Sequence, residues 1–239
     1  MIVNAMKSEN LLLRCIPEKE WETLKSSISE VDLELGQVLS EPGRKTHWIY
    51  FPANALVSIL YNLENGGSAE IAIIGNEGMT GISIFLGGES TTSRAVVQSA
   101  GRAYKIRSEI ILDLFNNSPP VMHLFLRFTQ AKITQMSQTA VCNRHHSIDQ
   151  QLCRWLLLSI DRLSGNELVM TQDLIANMLG VRREGVTEVA GKLQREGFIT
   201  YSRGHITVLD RAALEKRTCE CYAVVKREYD RLLPDKIAV

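Results

Sequence analysis

The stretch from Met170 to Leu209 constrains the fold most, because Gly180, Gly197 and Gly204 fall at three successive changes of periodicity. Thr171 stands before Gln172–Leu179, where its hydroxyl can accept an orphan N–H at the start of a short helix. Gly180 follows, and a sharp left-handed turn after a helix is cheap only for glycine. A second helix is predicted from about 182 to 196. Its Val186, Val189, Ala190 and Leu193 recur at i, i+3, i+4 and i+7, so one stripe is buried. Arg183, Glu184, Thr187 and Glu188 occupy the opposite stripe. After Gly197, residues Phe198–Leu209 alternate as two short strands joined at Arg203-Gly204. A short helix, a glycine turn, a longer helix and a hairpin wing form, in that order, an architecture that lays one helix into the major groove of DNA.

At 239 residues the chain is long enough for two cores. Lysine plus arginine balance aspartate plus glutamate overall, but not by region. Residues 1–118 carry 10 basic against 14 acidic groups, and residues 119–239 carry 17 against 13. The C-terminal part is therefore the expected partner of a polyanion, with a modest, salt-sensitive non-specific affinity. The N-terminus lacks a basic segment followed by an apolar core, and the longest apolar run, Trp155 to Ile160, is too short to span a bilayer. A cytoplasmic protein with no membrane partner is expected, and in that reducing compartment the five cysteines are expected as thiols.

The N-terminal half reads as strands. One helix is predicted over Pro17–Ile28; then Val31, Leu33 and Leu35 alternate with Asp32 and Glu34. Further strands are expected at 47–51, 56–61, 68–74, 92–98 and 102–106, with turn residues between them, including Glu64–Gly67. Short strands at this spacing predict an antiparallel β-roll or sandwich. From Pro119 the period becomes helical. Val121, Leu124, Phe125, Phe128, Ala131, Met136 and Ala140 form one stripe, with Lys132, Gln135 and Gln138 among the polar positions. A helix from 121 to about 143 is long for one domain and suits pairing with a copy of itself. Helices over 147–161 and 211–233 complete the reading, which is of an α+β protein.

A β-roll, a long helix and a C-terminal winged helix-turn-helix at this length resemble the Crp/Fnr superfamily of bacterial transcription regulators. The likeness covers nearly the whole chain and is sharpest at Leu179-Gly-Val-Arg-Arg-Glu-Gly-Val186. It implies a sensory roll in residues 1–118, similar to cyclic-nucleotide-binding domains, a dimerisation helix in 119–145 and a DNA-binding domain in 146–239. It further implies a homodimer on a palindromic double-stranded site, a small-molecule effector, and RNA polymerase as a further partner to consider. Carried over by position, Arg183 and Glu184 fall on the base-contacting pair. Arginine can bond guanine O6 and N7, and a carboxylate can accept from cytosine N4. Thr187 suits a thymine methyl or a phosphate. Glu188 stands where known members carry a groove-facing arginine, so the preferred site should differ from theirs. Thr171, Arg182, Lys192, Arg195, Ser202, Arg203 and His205 are candidates for phosphate contact.

In the roll, nucleotide-binding relatives use a Gly-Glu pair and, about ten residues later, Arg-Ser-Ala or Arg-Thr-Ala. This chain offers Gly81-Ile-Ser83 and Ser93-Arg-Ala95, so Gly81, Ser83, Ser93 and Arg94 are the candidate effector residues. Arg94 lies one place late, which on a strand turns it to the opposite face. A cyclic nucleotide is disfavoured, and the cofactor is left unknown. No metal site is expected. Cys142, His145 and His146 have i, i+3, i+4 spacing but read as a buried thiol beside polar residues at a helix end. Cys219 and Cys221, at i and i+2 of one helix, diverge by about 200° and could not share an ion. Two other functions compete. A cupin-like metalloenzyme needs clustered ligands, and the five histidines are dispersed; no nucleophile elbow or phosphate loop occurs either, so no enzyme is expected. An interaction module that has lost DNA binding would find its best support in Glu188.

Overall fold

The structure, a computed structural model, describes residues 2–64, 66–163 and 165–233. Two helices not foreseen from the sequence come first, α1 (Ile2–Glu9) and α2 (Leu11–Arg14). The helix expected over 17–28 is shorter, α3 (Glu18–Leu24), extended by a 3₁₀ turn at Lys25–Ser27. Asn10 fastens this segment to the roll. Its Oδ1 accepts from Leu13 N–H at 3.0 Å, capping α2, while its Nδ2 donates to the carbonyls of Pro52 and Gly78 at 2.9 Å each.

Seven antiparallel strands form the roll: β1 (Ser29–Leu33), β2 (Val38–Ser40), β3 (Trp48–Pro52), β4 (Leu56–Asn62), β5 (Ser68–Ile74), β6 (Arg94–Ser99) and β7 (Gly101–Arg107). They lie in two sheets, ordered β1-β7-β3 and β2-β6-β4-β5. Alternation ends earlier than expected: Leu33 is buried, but Leu35 is exposed because the chain leaves β1 and turns at Gly36 (φ +80°). β2 was not expected, and Asn65 of the predicted turn lies outside the described residues.

Helix α4 (Ser108–Asn117) leads into α5 (Pro119–His145), two residues longer at each end than predicted. Val121, Leu124, Phe125, Phe128 and Ala131 are buried as expected. The second half of α5 departs from the pattern. Lys132 and Gln135, polar positions of the predicted helix, are buried, whereas Leu126, Ile133 and Val141 are exposed. The cause is that α5 is packed against β5 and against the C-terminal helix, so its inward face is partly polar and its outward face partly apolar.

α6 (Ile148–Ile160) begins with a capping box in which Ser147 and Gln150 satisfy each other's backbone N–H. From Gln151 to Ile160 it is buried on every side. Then follow β8 (Glu167–Val169), α7 (Gln172–Leu179), α8 (Arg183–Arg195), β9 (Ile199–Ser202) and β10 (His205–Val208), the strands forming a small sheet in the order β8-β10-β9. The single last helix expected over 211–233 is in fact two, α9 (Arg211–Arg217) and α10 (Glu220–Leu232). Thr218 and Cys219 break it by adopting extended backbone (ψ 166° and 169°). One apolar cluster runs from Ile49 and Phe51 in the roll through Phe125 and Phe128 to Leu156, Ile175, Val186 and Leu193.

Candidate nucleic-acid interface

The helix-turn-helix is built by local rules. Thr171 Oγ1 accepts from Leu174 N–H at 3.3 Å, and Gly180 ends α7 at φ +66°. The chain then re-enters a helix at Arg183, with Arg182 as the non-helical residue before it. Val186, Ala190 and Leu193 are buried against α6 and α7, which fixes the rotation of α8. Arg183, Glu184, Thr187 and Glu188 are consequently exposed. Arg183 Nε lies 3.4 Å from Asp173 Oδ1, an ion pair at the surface and therefore weak. Thr187 Oγ1 lies 2.6 Å from Gln172 Oε1, which holds that hydroxyl against α7.

The phosphate candidates divide. Arg182, Arg195, Ser202, Arg203 and His205 are exposed, and Thr171 is exposed while capping α7. Lys192 is tied back to α6 through Asp149 at 3.3 Å, a carboxylate that Arg217 also holds, at 2.8 Å. At the wing tip Arg203 (φ +51°) and Gly204 (φ +82°) both take left-handed conformations, as a two-residue type I′ hairpin requires. Arg203 is the only non-glycine with positive φ among the described residues, and such strain collects where a loop tip has a task.

Helix α5, helix α6 and the turn after α6 dock on the roll through buried polar pairs between residues distant in sequence. Arg162 Nε donates to Glu77 Oε1 at 2.8 Å, with both side chains nearly inaccessible. Trp155 Nε1 donates to Glu70 Oε1 at 3.1 Å, and Lys132 Nζ to the Ile73 carbonyl at 2.7 Å. Burial pushes the Glu70 carboxyl up to about 7 and pulls the Lys132 ammonium down to about 7. Gly75 permits this approach: a Cβ there would sit 2.5 Å from Cβ of Arg162.

Between the four-stranded sheet and α5 lies a cavity of about 190 Å³, lined in part by Trp48, Met79, Gly81, Ser83, Ser93 and Lys132. Ser83 Oγ is buried there with no hydrogen-bond partner among the described residues. Three of the four candidate effector residues thus line one cavity. Arg94 does not; it points away and pairs with Glu41 at 3.0 Å.

A second polar cluster gathers Cys142, His146, Cys219 and Cys221, whose ligand atoms lie within 4.8 Å of one another. His145 is exposed and apart. Cys219 and Cys221 do converge, because Cys219 precedes α10 instead of lying within it. The sulfur–sulfur contact with Cys142 draws the Cys219 thiol below its ordinary value, while burial pushes the Cys221 thiol up. Apolar periodicity concealed the break between α9 and α10: Leu214 and Tyr222 are both buried, and their spacing continues one helical stripe straight across it.

Residues 150–217 match the family model of the Crp-like helix-turn-helix domain. The global nitrogen regulator of Synechococcus elongatus is 21% identical over 222 residues, covering 89% of this chain and 99% of that protein. Among solved structures, FixK2 from Bradyrhizobium japonicum superposes with a TM-score of 0.67 at 14% identity, over 80% of this chain and 98% of its own. A transcriptional regulator of the CRP family from Thermus thermophilus gives 0.65 at 17% identity, over 78% and 95%. The fold is one that these regulators share, and it ends in a Crp-like helix-turn-helix domain. The chain has the Crp/Fnr architecture, with a Crp-like helix-turn-helix at residues 150–217. No helix among the described residues is long and apolar enough to cross a membrane.

Proposed function

We propose that the protein acts in the cytoplasm as a homodimeric regulator that reads a palindromic DNA site through α8. In this reading residues 1–118 form the sensory unit, 119–145 the dimerisation helix and 146–239 the DNA-binding unit. The observation that carries the proposal is the split surface of α8: its apolar stripe is spent on α6 and α7, leaving Arg183, Glu184, Thr187 and Glu188 uncovered on a rigid element. Arg183 and Glu184 read guanine and cytosine edges, and Thr187 and Glu188 tune the neighbouring pairs. Thr171, Arg182, Arg195, Ser202, Arg203 and His205 supply phosphate contacts; Lys192 joins them only by leaving Asp149.

Dimerisation is supported by α5. Leu126, Ile133 and Val141 stay 40%, 47% and 47% exposed, at spacings of seven and eight residues, which is the seam a second copy would cover. Two recognition helices related by that seam would enter successive major grooves about 34 Å apart. The cavity beside Ser83 and Ser93 takes a small, mostly apolar effector. With Arg94 turned to Glu41, no arginine among the described residues lines it to hold a cyclic phosphate. Selection from a randomised duplex library at moderate salt tests the reading: enrichment of an inverted repeat is expected. Recovery of no half-site would instead favour a helix-turn-helix that has lost DNA, the role Glu188 would then explain. Ile133→Glu should yield monomers in sedimentation and lose affinity for the full repeat.

A further inference from the structure

Cys142 and His146 stand one helical turn apart at the end of α5, and Cys219 and Cys221 flank the start of α10. Cys142 Sγ lies 3.5 Å from Cys219 Sγ, and Cys221 Sγ lies 3.7 Å from His146 Nδ1. A tetrahedral zinc ion with Zn–S near 2.3 Å and Zn–N near 2.0 Å spaces its ligands by about 3.5–3.8 Å. A disulfide, at about 2.05 Å, would need the sulfurs far closer. An iron–sulfur cube would need the four ligands farther apart than one ion does. The three thiols form a buried cluster of their own, apart from the aliphatic core.

The surroundings of the four side chains fit the same ion. With Nδ1 facing the sulfurs, His146 Nε2 lies 3.4 Å from the Glu220 carboxylate, the outer partner that fixes the ring of a zinc-bound histidine. Gln151 Nε2 donates to the His146 carbonyl at 2.9 Å and steadies the backbone between the helices. Three thiolates on one divalent ion leave one negative charge, and the buried Arg154 guanidinium is placed to balance it. Arg154 Nη1 is held by Thr139 at 3.2 Å, and its Nε is buried without a partner among the described residues. Its charge acts on both Cys142 and Cys221.

We propose that Cys142, His146, Cys219 and Cys221 bind one zinc ion as a structural site that clamps the end of α5 to the start of α10. Zinc binds the three sulfurs as thiolates, releasing to solvent those thiol protons still held, and takes His146 as neutral imidazole, so no electron is transferred. The clamp joins the helix that carries the apolar seam to the last helix of the DNA half.

The full chain, purified under reductant without chelator, should carry one zinc per chain by elemental analysis. Exchange for cobalt(II) should give the visible d–d absorption and thiolate charge-transfer band of a tetrahedral, thiolate-rich site. Bound zinc should shield three of the five thiols from a thiol reagent, and chelator should expose them. Cys219→Ser and His146→Asn should each lower zinc content at least tenfold. Should either variant fail to fold, the parent's stoichiometry and cobalt spectrum still decide. The proposal is overturned by any of four results. These are no zinc after incubation with equimolar zinc under reductant, parent-level zinc in Cys219→Ser, a cobalt spectrum without thiolate charge transfer, or iron with acid-labile sulfide in place of zinc.

Discussion

The exposed face of α8 and the roll junction are both polar, but they solve opposite problems. On α8 the charged groups stand in water, and the ion pair between Arg183 and Asp173 is loose and exposed. At the junction Glu70, Glu77, Lys132, Arg154 and Arg162 are removed from water, most with a specified partner. Exposed charge costs little to change and is free to meet an outside ligand. Buried charge is expensive to unpair and therefore fixes where one half sits on the other. In the proposed function the first surface would govern what is bound, and the second the posture in which it is offered.

Truncating the junction should produce the largest effect. Arg162→Ala leaves Glu77 buried and unpaired, and should destabilise the protein by about 3–5 kcal/mol in urea unfolding. A junction that water enters readily would give less than ~1 kcal/mol and erase the difference between the two surfaces.

A pH series sharpens the same point. The Glu70 carboxyl is raised on folding, so the folded chain binds more protons than the unfolded one between the ordinary carboxylate range and about 7. Stability contributed by Glu70 is present at the acid end and is lost as pH climbs to about 7. Lys132 is lowered on folding, so the unfolded chain holds more protons above about 7, and stability returns as pH rises towards the ordinary lysine range. Together the two groups place a minimum near neutrality. Glu70→Gln should flatten the acid limb relative to the parent; two parallel profiles would mean that Glu70 does not titrate in this window.

On the exposed face of α8 the expectations are smaller and of another kind. Arg183→Ala should weaken the selected duplex by about 1–3 kcal/mol and relax preference at one base pair. Its midpoint in urea should match the parent's, because nothing buried is lost. Equal loss on specific and random duplexes would demote Arg183 to a phosphate contact. The smallest change is expected of Glu188→Arg, which should raise affinity for random duplex and steepen the salt slope by about one unit. An unchanged slope would place position 188 away from the phosphates.

Much of the helix-turn-helix and wing geometry was legible because its determinants are local. Thr171, Gly180, the Val186-to-Leu193 stripe and the Arg203-Gly204 turn each act within a few residues, and α7 lies where the cap and glycine put it. The junction was not legible, because its partners are distant in sequence and pair only after the chain has folded. Lys132 and Gln135 read as polar positions of the predicted helix, yet Lys132 finds its acceptor on β5, at Ile73. The cysteine cluster was missed for a different reason. An uninterrupted helix keeps Cys219 and Cys221 apart, and only the extended backbone at Thr218 and Cys219 turns them the same way. In the roll, strand alternation correctly separated Arg94 from Ser93, while β2 is too short to leave a pattern.

Helix α6 has no dry face to spare and no wet one either, since every residue from Gln151 to Ile160 is enclosed. Such a rod cannot slide or roll without opening several interfaces at once. It should therefore behave as an axle housing: small adjustments around the Ser83 cavity would reach α8 as tilts of a whole body, while the helix-turn-helix itself keeps its internal geometry.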